Sequence, residues 1–384
     1  MQIKINGPAV SATRASDRDD HILTRARLRP HDIKSREDSM NTRFALAGLF
    51  FGMQMFTFTS AAGADTTLRF GWYGSAEADF NRDGTFVWGE MVEEATEGRV
   101  QVEFLASPPG SPVVFHDLIR DRVMDAGYYS PGIQQRPFVL HRVAELPFLG
   151  DSAEANSVAY WRIYQEYLAA AGENDEVVVV TVSTHGPGMI HNSERPVISA
   201  ADLEGLKMRV PGDTIGQLAD SLGAVAMSVP FTEVSQVISS GIVDGIFVPY
   251  NAVRDMSLAR YLPYTTDVPG GLYNFVFHFA INREAWAEIS AEDQAAIMEI
   301  SGESGARLIG RSWDVGDAAG REYVAEEGVD VVDMSPEFRA EIEAAFAPIE
   351  EEWFENAANL GVDGRAALAA YRDEVARLNA ELAE

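Results

Sequence analysis

Apolar residues recur along this chain in two spacings, short alternations or runs of roughly four to eight positions and longer stretches with helical spacing, and the two kinds follow one another. Thr67 to Tyr73 reads as a strand, and Phe86, Val87, Met91 and Val92 share a helix face that Gly98 ends before a second strand, Val100 to Leu105. Leu118, Ile119 and Val123 form the face of another helix, followed by a strand over Met124 to Tyr129. Val177 to Val182 is a continuous β-branched block, the pattern of a strand covered on both faces in a parallel sheet. Leu206 to Val210, Ala224 to Val229 and Ile246 to Val248 continue the strand series, with helices around Ile215 to Leu222 and Val234 to Ile238 between them. This alternation predicts an α/β protein.

Helix starts carry their own punctuation. Ser199 stands three before Asp202, Ser290 three before Asp293, and Ser335-Pro336 joins an N-cap to a proline at the first helical position. Beyond about residue 284 the chain turns helical and acidic, and Gly364 to Leu382 reads as one amphipathic helix. No internal repeat and no low-complexity segment interrupts the pattern.

Composition narrows the function. A chain of 384 residues is long enough for two domains, and its formal net charge of −29 argues against a nucleic-acid partner. Cysteine is absent, which excludes disulfides, thiolate metal sites and cysteine nucleophiles but leaves the redox compartment open. Met40 to Ala64 has the form of a signal peptide: Arg43, an uncharged and mostly apolar run from Phe44 to Phe58, then Ala62-Gly63-Ala64. The run is shorter than the roughly 20 apolar residues of a spanning helix. Residues 1–39 mix basic and acidic side chains without periodicity and read as an upstream extension that is not native to the protein.

Arg209 is the first candidate for chemistry. In Leu206-Lys-Met-Arg-Val210 the apolar side chains alternate with basic ones, so Arg209 leaves the strand opposite Met208 and Val210, and Pro211-Gly212 ends the strand beside it. Open α/β sheets place their ligand crevice at such carboxyl ends, and a guanidinium fork matches a carboxylate. The alternative is an arginine reaching solvent. Aromatic residues stand at other expected strand ends, namely Trp72, Tyr73, Tyr128, Tyr129 and Tyr250, where each ring is either lobe core or cleft wall. Asn251 either donates to a ligand oxygen or closes the turn after Pro249. There is no G-x-S-x-G elbow, P-loop, dinucleotide fingerprint or H-E-x-x-H, and the histidines lack metal-ligand spacing, so no cofactor or metal is expected.

Several segments together resemble the substrate-binding proteins of TRAP transporters, DctP type: Asp202-Leu-Glu-Gly-Leu-Lys-Met-Arg-Val-Pro-Gly212, Glu233-Val-Ser-Gln-Val-Ile-Ser-Ser-Gly-Ile-Val-Asp-Gly245, Ala144-Glu-Leu-Pro-Phe-Leu149, Gly127-Tyr-Tyr-Ser-Pro-Gly132 and Phe279-Ala-Ile-Asn-Arg-Glu-Ala-Trp286. The resemblance implies a two-lobed periplasmic binding-protein fold, each lobe a central sheet flanked by helices, with the ligand cleft between lobes and long C-terminal helices. Lobe I would comprise residues 65–186 and 274–315, and lobe II residues 187–273 and 316–384. It implies a non-enzymatic periplasmic receptor, a monomer or weak dimer, that captures a small organic carboxylate through Arg209 and delivers it to the TRAP membrane permease. A ligand-sensing subunit for a receptor kinase, or an exported enzyme acting on a small carboxylate, are the alternatives.

The chain departs from the sialic-acid and dicarboxylate binders it resembles. They carry a second arginine about twenty residues before the first, where this chain has Thr184-His-Gly-Pro-Gly-Met189. They also place an asparagine shortly after the Val-Asp-Gly, where this chain reads Phe247-Val-Pro-Tyr-Asn251. The lost arginine points to a monocarboxylate, a 2-oxo, 2-hydroxy or aromatic acid. His185 would then be a neutral or switchable donor to a hydroxyl or keto oxygen, or merely cap its loop through a backbone bond. The expected ligand set is Arg209, His185, Tyr129, Trp72, Tyr73, Tyr250 and Asn251.

Overall fold

A computed structural model describes residues 66–134 and 138–382. The expected leader at 40–64 and the segment 1–39 lie outside the described residues. The described chain forms two sheets with helices around them.

The first sheet contains β1 (Thr66–Gly71), β2 (Val100–Phe104), β3 (Ala126–Tyr129), β4 (Val177–Thr184) and β10 (Val276–Asn282), in the order β2-β1-β3-β10-β4. Strands β1, β2 and β3 are parallel, whereas β10 runs antiparallel to both β3 and β4. The second sheet contains β5 (Met189–Asn192), β6 (Lys207–Val210), β7 (Val225–Ser228), β8 (Gly245–Val248), β9 (Tyr264–Asp267) and β11 (Asp330–Asp333), in the order β11-β9-β5-β8-β6-β7. Here β5 is the strand that opposes its neighbours, β8 and β9.

The two antiparallel strands have one cause. The chain leaves the first sheet through residues 185–188, enters the second as β5, and returns through residues 268–275 as β10. Each strand therefore arrives from the opposite lobe and meets its new neighbours head to tail. This corrects the expectation for Val177 to Val182: β4 is an edge strand paired with β10 alone, antiparallel. It is nonetheless buried because the helices Ala153–Ile163 and Gly302–Glu326 pack on it.

The helix Gly302–Glu326 is continuous past residues 315 and 316. Its earlier turns put Ile309 and Trp313 into the core of the first sheet, and its later turns put Gly316 and Gly320 against the helix Tyr250–Asp255. A Cβ on Gly320 would stand 2.4 Å from the Tyr250 carbonyl carbon, so only glycine permits this approach. Ser152, Ser290 and Ser335 cap their helices by accepting from the backbone N–H three residues on.

The C-terminal helix Gly364–Leu382 buries Ala367, Leu368, Tyr371, Val375 and Leu378, the stripe its spacing predicts. Each large apolar side chain so buried stabilises the fold by roughly 1.5–3 kcal/mol. The helix expected to carry Val123 ends earlier, at Arg120, and Val123 is exposed at 45 % in the turn beyond it. Arg122 in that turn has a positive φ of 56°, which a continuing helix does not allow.

Candidate functional site

A cavity of about 430 Å³ lies where the two sheets face each other, within the range usual for small-molecule sites. Its floor comes from strand ends. Arg209, paired through β6 with Met227 of β7 and Ile246 of β8, stands one residue from the end of its strand, and Pro211-Gly212 then turns the chain along the cavity wall.

Arg209 is 4 % exposed. Its Nε donates to the Val229 carbonyl at 3.0 Å. Among the described residues no carboxylate lies within ion-pairing distance of it. Burial in low-dielectric surroundings pushes its pKa down to about 10, and the nearby Tyr273 hydroxyl only partly offsets this. A buried cation without a counter-ion is costly unless a ligand supplies the anion.

The wall opposite is aromatic. Phe80 and Trp313 stack at 4.1 Å between centroids with planes 4° apart, and Phe277 lies nearly parallel to Trp313 at 5.6 Å. Phe275 meets Phe277 edge-on, and Tyr73 completes the lining. Tyr128 fixes the Tyr73 main chain, its hydroxyl donating to the Tyr73 carbonyl at 2.5 Å and lying 3.1 Å from the Tyr73 N–H.

His185 sits between these two surfaces, 5.1 Å from the Tyr273 ring and 6.0 Å from Trp313. Of the two sequence alternatives for it, the backbone cap is observed, with Nδ1 bonding the Gly186 carbonyl at 2.5 Å, and the ring also lines the cavity. Burial pushes its pKa down to about 4, and the Arg209 charge adds to the effect. Asn251 also lines the cavity. Its backbone N–H donates to Asp317 Oδ1 at 2.9 Å.

Arg209, His185, Tyr73 and Asn251 are thus brought together, while the other three expected residues are not. Trp72 follows strand parity to the side opposite Tyr73 and packs edge-on against Phe86 at 5.2 Å. Tyr129 faces away from Tyr128 for the same reason, into a separate core cluster, and donates to Asn174 at 2.5 Å. Tyr250 begins its helix pointing toward the second sheet, where its hydroxyl donates to Asp267 at 3.0 Å and Arg321 lies over its ring. Sequence reasoning missed Tyr273, Phe275, Phe277, Phe80 and Trp313. The first three had a visible signal, since Tyr273, Phe275, Phe277 and Phe279 alternate at period two on the way into β10.

Residues 74–357 match the family model described as bacterial extracellular solute-binding protein, family 7, or DctP. A curated relative from Comamonas testosteroni, named outer membrane transporter protein TsaT, is 29 % identical over 290 residues, 75 % of this chain and 86 % of the relative. Among solved structures, a TRAP periplasmic solute-binding protein from Bordetella bronchiseptica with bound (R)- and (S)-mandelate superposes with a TM-score of 0.78 at 32 % identity, covering 82 % of this chain and 99 % of that one. A TRAP solute-binding protein from Rhodoferax ferrireducens in complex with copurified benzoate gives 0.76 at 27 % identity, covering 83 % and 100 %.

Proposed function

The chain belongs to the DctP family of bacterial extracellular solute-binding proteins, the periplasmic receptors of TRAP transporters, and from that premise we propose that its ligand is an aromatic monocarboxylate. The observation that carries this reading is the buried Arg209 guanidinium, without a carboxylate partner among the described residues, at the floor of a cavity walled by Phe80, Phe275, Phe277 and Trp313. The ligand carboxylate supplies the missing anion in a bidentate pair. Its ring lies against the aromatic wall, where face and edge contacts add to the burial of apolar surface.

The mandelate and benzoate complexes of the two solved neighbours support the same class. Among the described residues no second cation lines the cavity beside Arg209, so a second carboxylate would bear a desolvation cost of several kcal/mol. Binding, rather than chemical conversion, is the role of the site. The lobes close by hinging at residues 185–188 and 268–275, where the chain crosses between sheets, and the loaded receptor passes its ligand to the TRAP permease.

The name of the Comamonas relative raises the alternative of an outer-membrane pore. The described strands span four to eight residues and lie in two open sheets, whereas a spanning barrel strand needs about 9–11 residues in a closed wall. Native mass spectrometry of the purified protein, followed by calorimetry with benzoate, mandelate, phenylacetate, succinate and malate, tests the reading. Tighter binding of succinate or malate than of every aromatic acid would overturn it.

A further inference from the structure

We propose that His185 makes the receptor selective for aromatic acids carrying a hydroxyl group, against their oxo and unsubstituted counterparts, by offering the ligand a bare imidazole nitrogen. The proposal rests on the aromatic-monocarboxylate reading above and adds a second polar recognition element to it.

The argument begins with the tautomer. The Gly186 carbonyl is an acceptor only, and Nδ1 of His185 lies 2.5 Å from it, so Nδ1 must carry the ring proton. The ring is neutral at physiological pH, because it is buried and shares its surroundings with the Arg209 cation. A neutral imidazole with its proton on Nδ1 leaves Nε2 as a lone pair. Among the described residues Nε2 has no hydrogen-bond partner, and the ring forms part of the cavity lining. This reverses the donor role that the sequence alone suggested for His185.

Neighbouring groups do not satisfy that lone pair. The Tyr273 hydroxyl, on the ring closest to His185, is committed to the Phe247 carbonyl at 2.9 Å. Of the remaining ring neighbours, Phe275 stacks on His185 at 6.1 Å and Trp313 meets it edge-on at 6.0 Å, with an indole N–H that bonds no group among the described residues. A ligand that places a hydroxyl there donates to Nε2. One that places an oxo oxygen there sets two lone pairs against each other, and one with neither leaves a buried acceptor unpaired. An ammonium donor is disfavoured by the Arg209 charge, and the Asp255 carboxylate on the cavity wall is already held by Arg254. Sites built to bond a ligand hydroxyl reject analogues lacking it far more strongly than apolar pockets reject a missing methylene.

Calorimetry with mandelate, phenylacetate and phenylglyoxylate on the wild type and on His185→Phe tests the idea. The wild type is expected to bind mandelate about tenfold or more tighter than the other two. In His185→Phe that preference should collapse to within about threefold. A mandelate preference that survives the substitution, or phenylglyoxylate binding at least as tightly as mandelate to the wild type, would overturn the role of His185 alone. Absence of binding by any aromatic acid would overturn the ligand class and this proposal together. Nitrogen NMR of the wild-type imidazole reads the tautomer without any variant: an unprotonated Nε2 resonance is expected, and a protonated Nε2 sinks the proposal even if His185→Phe fails to fold.

Discussion

Trp313 stacks on Phe80 with their planes 4° apart and their centroids 4.1 Å apart, although one residue belongs to the helix Gly302–Glu326 and the other to the helical segment Phe80–Thr85. The pair forms a flat face against which a ligand ring can lie. Of the six tryptophans in the chain, Trp313 alone lines the cavity among the described residues. Aromatic ligands should therefore change its fluorescence, and Trp313→Phe should abolish the change while keeping most of the affinity. Trp313→Ala should weaken binding by about 1–2 kcal/mol, roughly five- to thirty-fold. Fluorescence titration and calorimetry read the two effects, and an unchanged affinity in Trp313→Ala would remove this ring from the site.

Arg209 should cost the empty receptor stability and give it affinity. Its folded pKa is depressed to about 10, so the charged form that prevails at every lower pH is held at a cost on the order of a few kcal/mol. Arg209→Met should raise the melting temperature of the ligand-free protein while weakening carboxylate binding by ~2–5 kcal/mol. Arg209→Lys keeps the charge but loses the fork, and should recover only part of the binding. Calorimetric melting of the empty proteins decides the first half: a lower melting temperature for Arg209→Met would mean that the cation is structurally compensated.

Much of this arrangement is legible in the sequence, and the rest is not, for physical reasons. Arg209 was readable because strand alternation and the Pro211-Gly212 stop fix both its face and its place at the strand end. The aromatic pairs Trp72-Tyr73 and Tyr128-Tyr129 were ambiguous, since adjacent strand residues face opposite ways and a one-residue error in register exchanges them. Trp313 was hidden because it sits in a helix whose one face serves both lobes, so its apolar spacing reads as ordinary core. The antiparallel entries of β5 and β10 follow from chain crossings between lobes, which local pattern does not record.

Asp317 should make stability depend on pH in an unusual direction for a carboxylate. It is buried against Gly186, where a Cβ would come within 1.7 Å of Oδ2, and burial pushes its pKa up to about 7 despite the Asn251 N–H bond. An unfolded aspartate titrates near 3.9. Between those values the folded state holds a proton that the unfolded state has released, so this group's contribution falls as pH rises from about 4 to about 7 and is flat above. Asp317→Asn removes the dependence. The stability of Asp317→Asn relative to wild type should increase by a few kcal/mol from pH 4 to pH 8, measured by urea unfolding across that range. A difference that stays constant with pH would show that Asp317 is ionised throughout.

The last prediction concerns how long a ligand stays. Asp79, in the turn that leads into Phe80, accepts from Arg82 at 2.6 Å and also from Arg254, which belongs to the helix Tyr250–Asp255 on the side of the second sheet. Asp79 is nearly buried and Arg254 three-quarters so, and Ala78 and Asp255 beside them line the cavity. The Asp79–Arg254 pair therefore spans the cleft edge and must break if the lobes part there. A pair this shielded is worth more than a surface ion pair, so removing it should lower the barrier to opening by about 1–2 kcal/mol and speed release roughly five- to thirty-fold. Arg82 and Arg254 keep Asp83 and Asp255 as local partners in Asp79→Asn, so the fold should survive. The association rate should change far less, because the encounter precedes the contact. Stopped-flow fluorescence on Asp79→Asn separates the two rates, and a release rate within about twofold of wild type would mean that this ion pair does not hold the lobes shut.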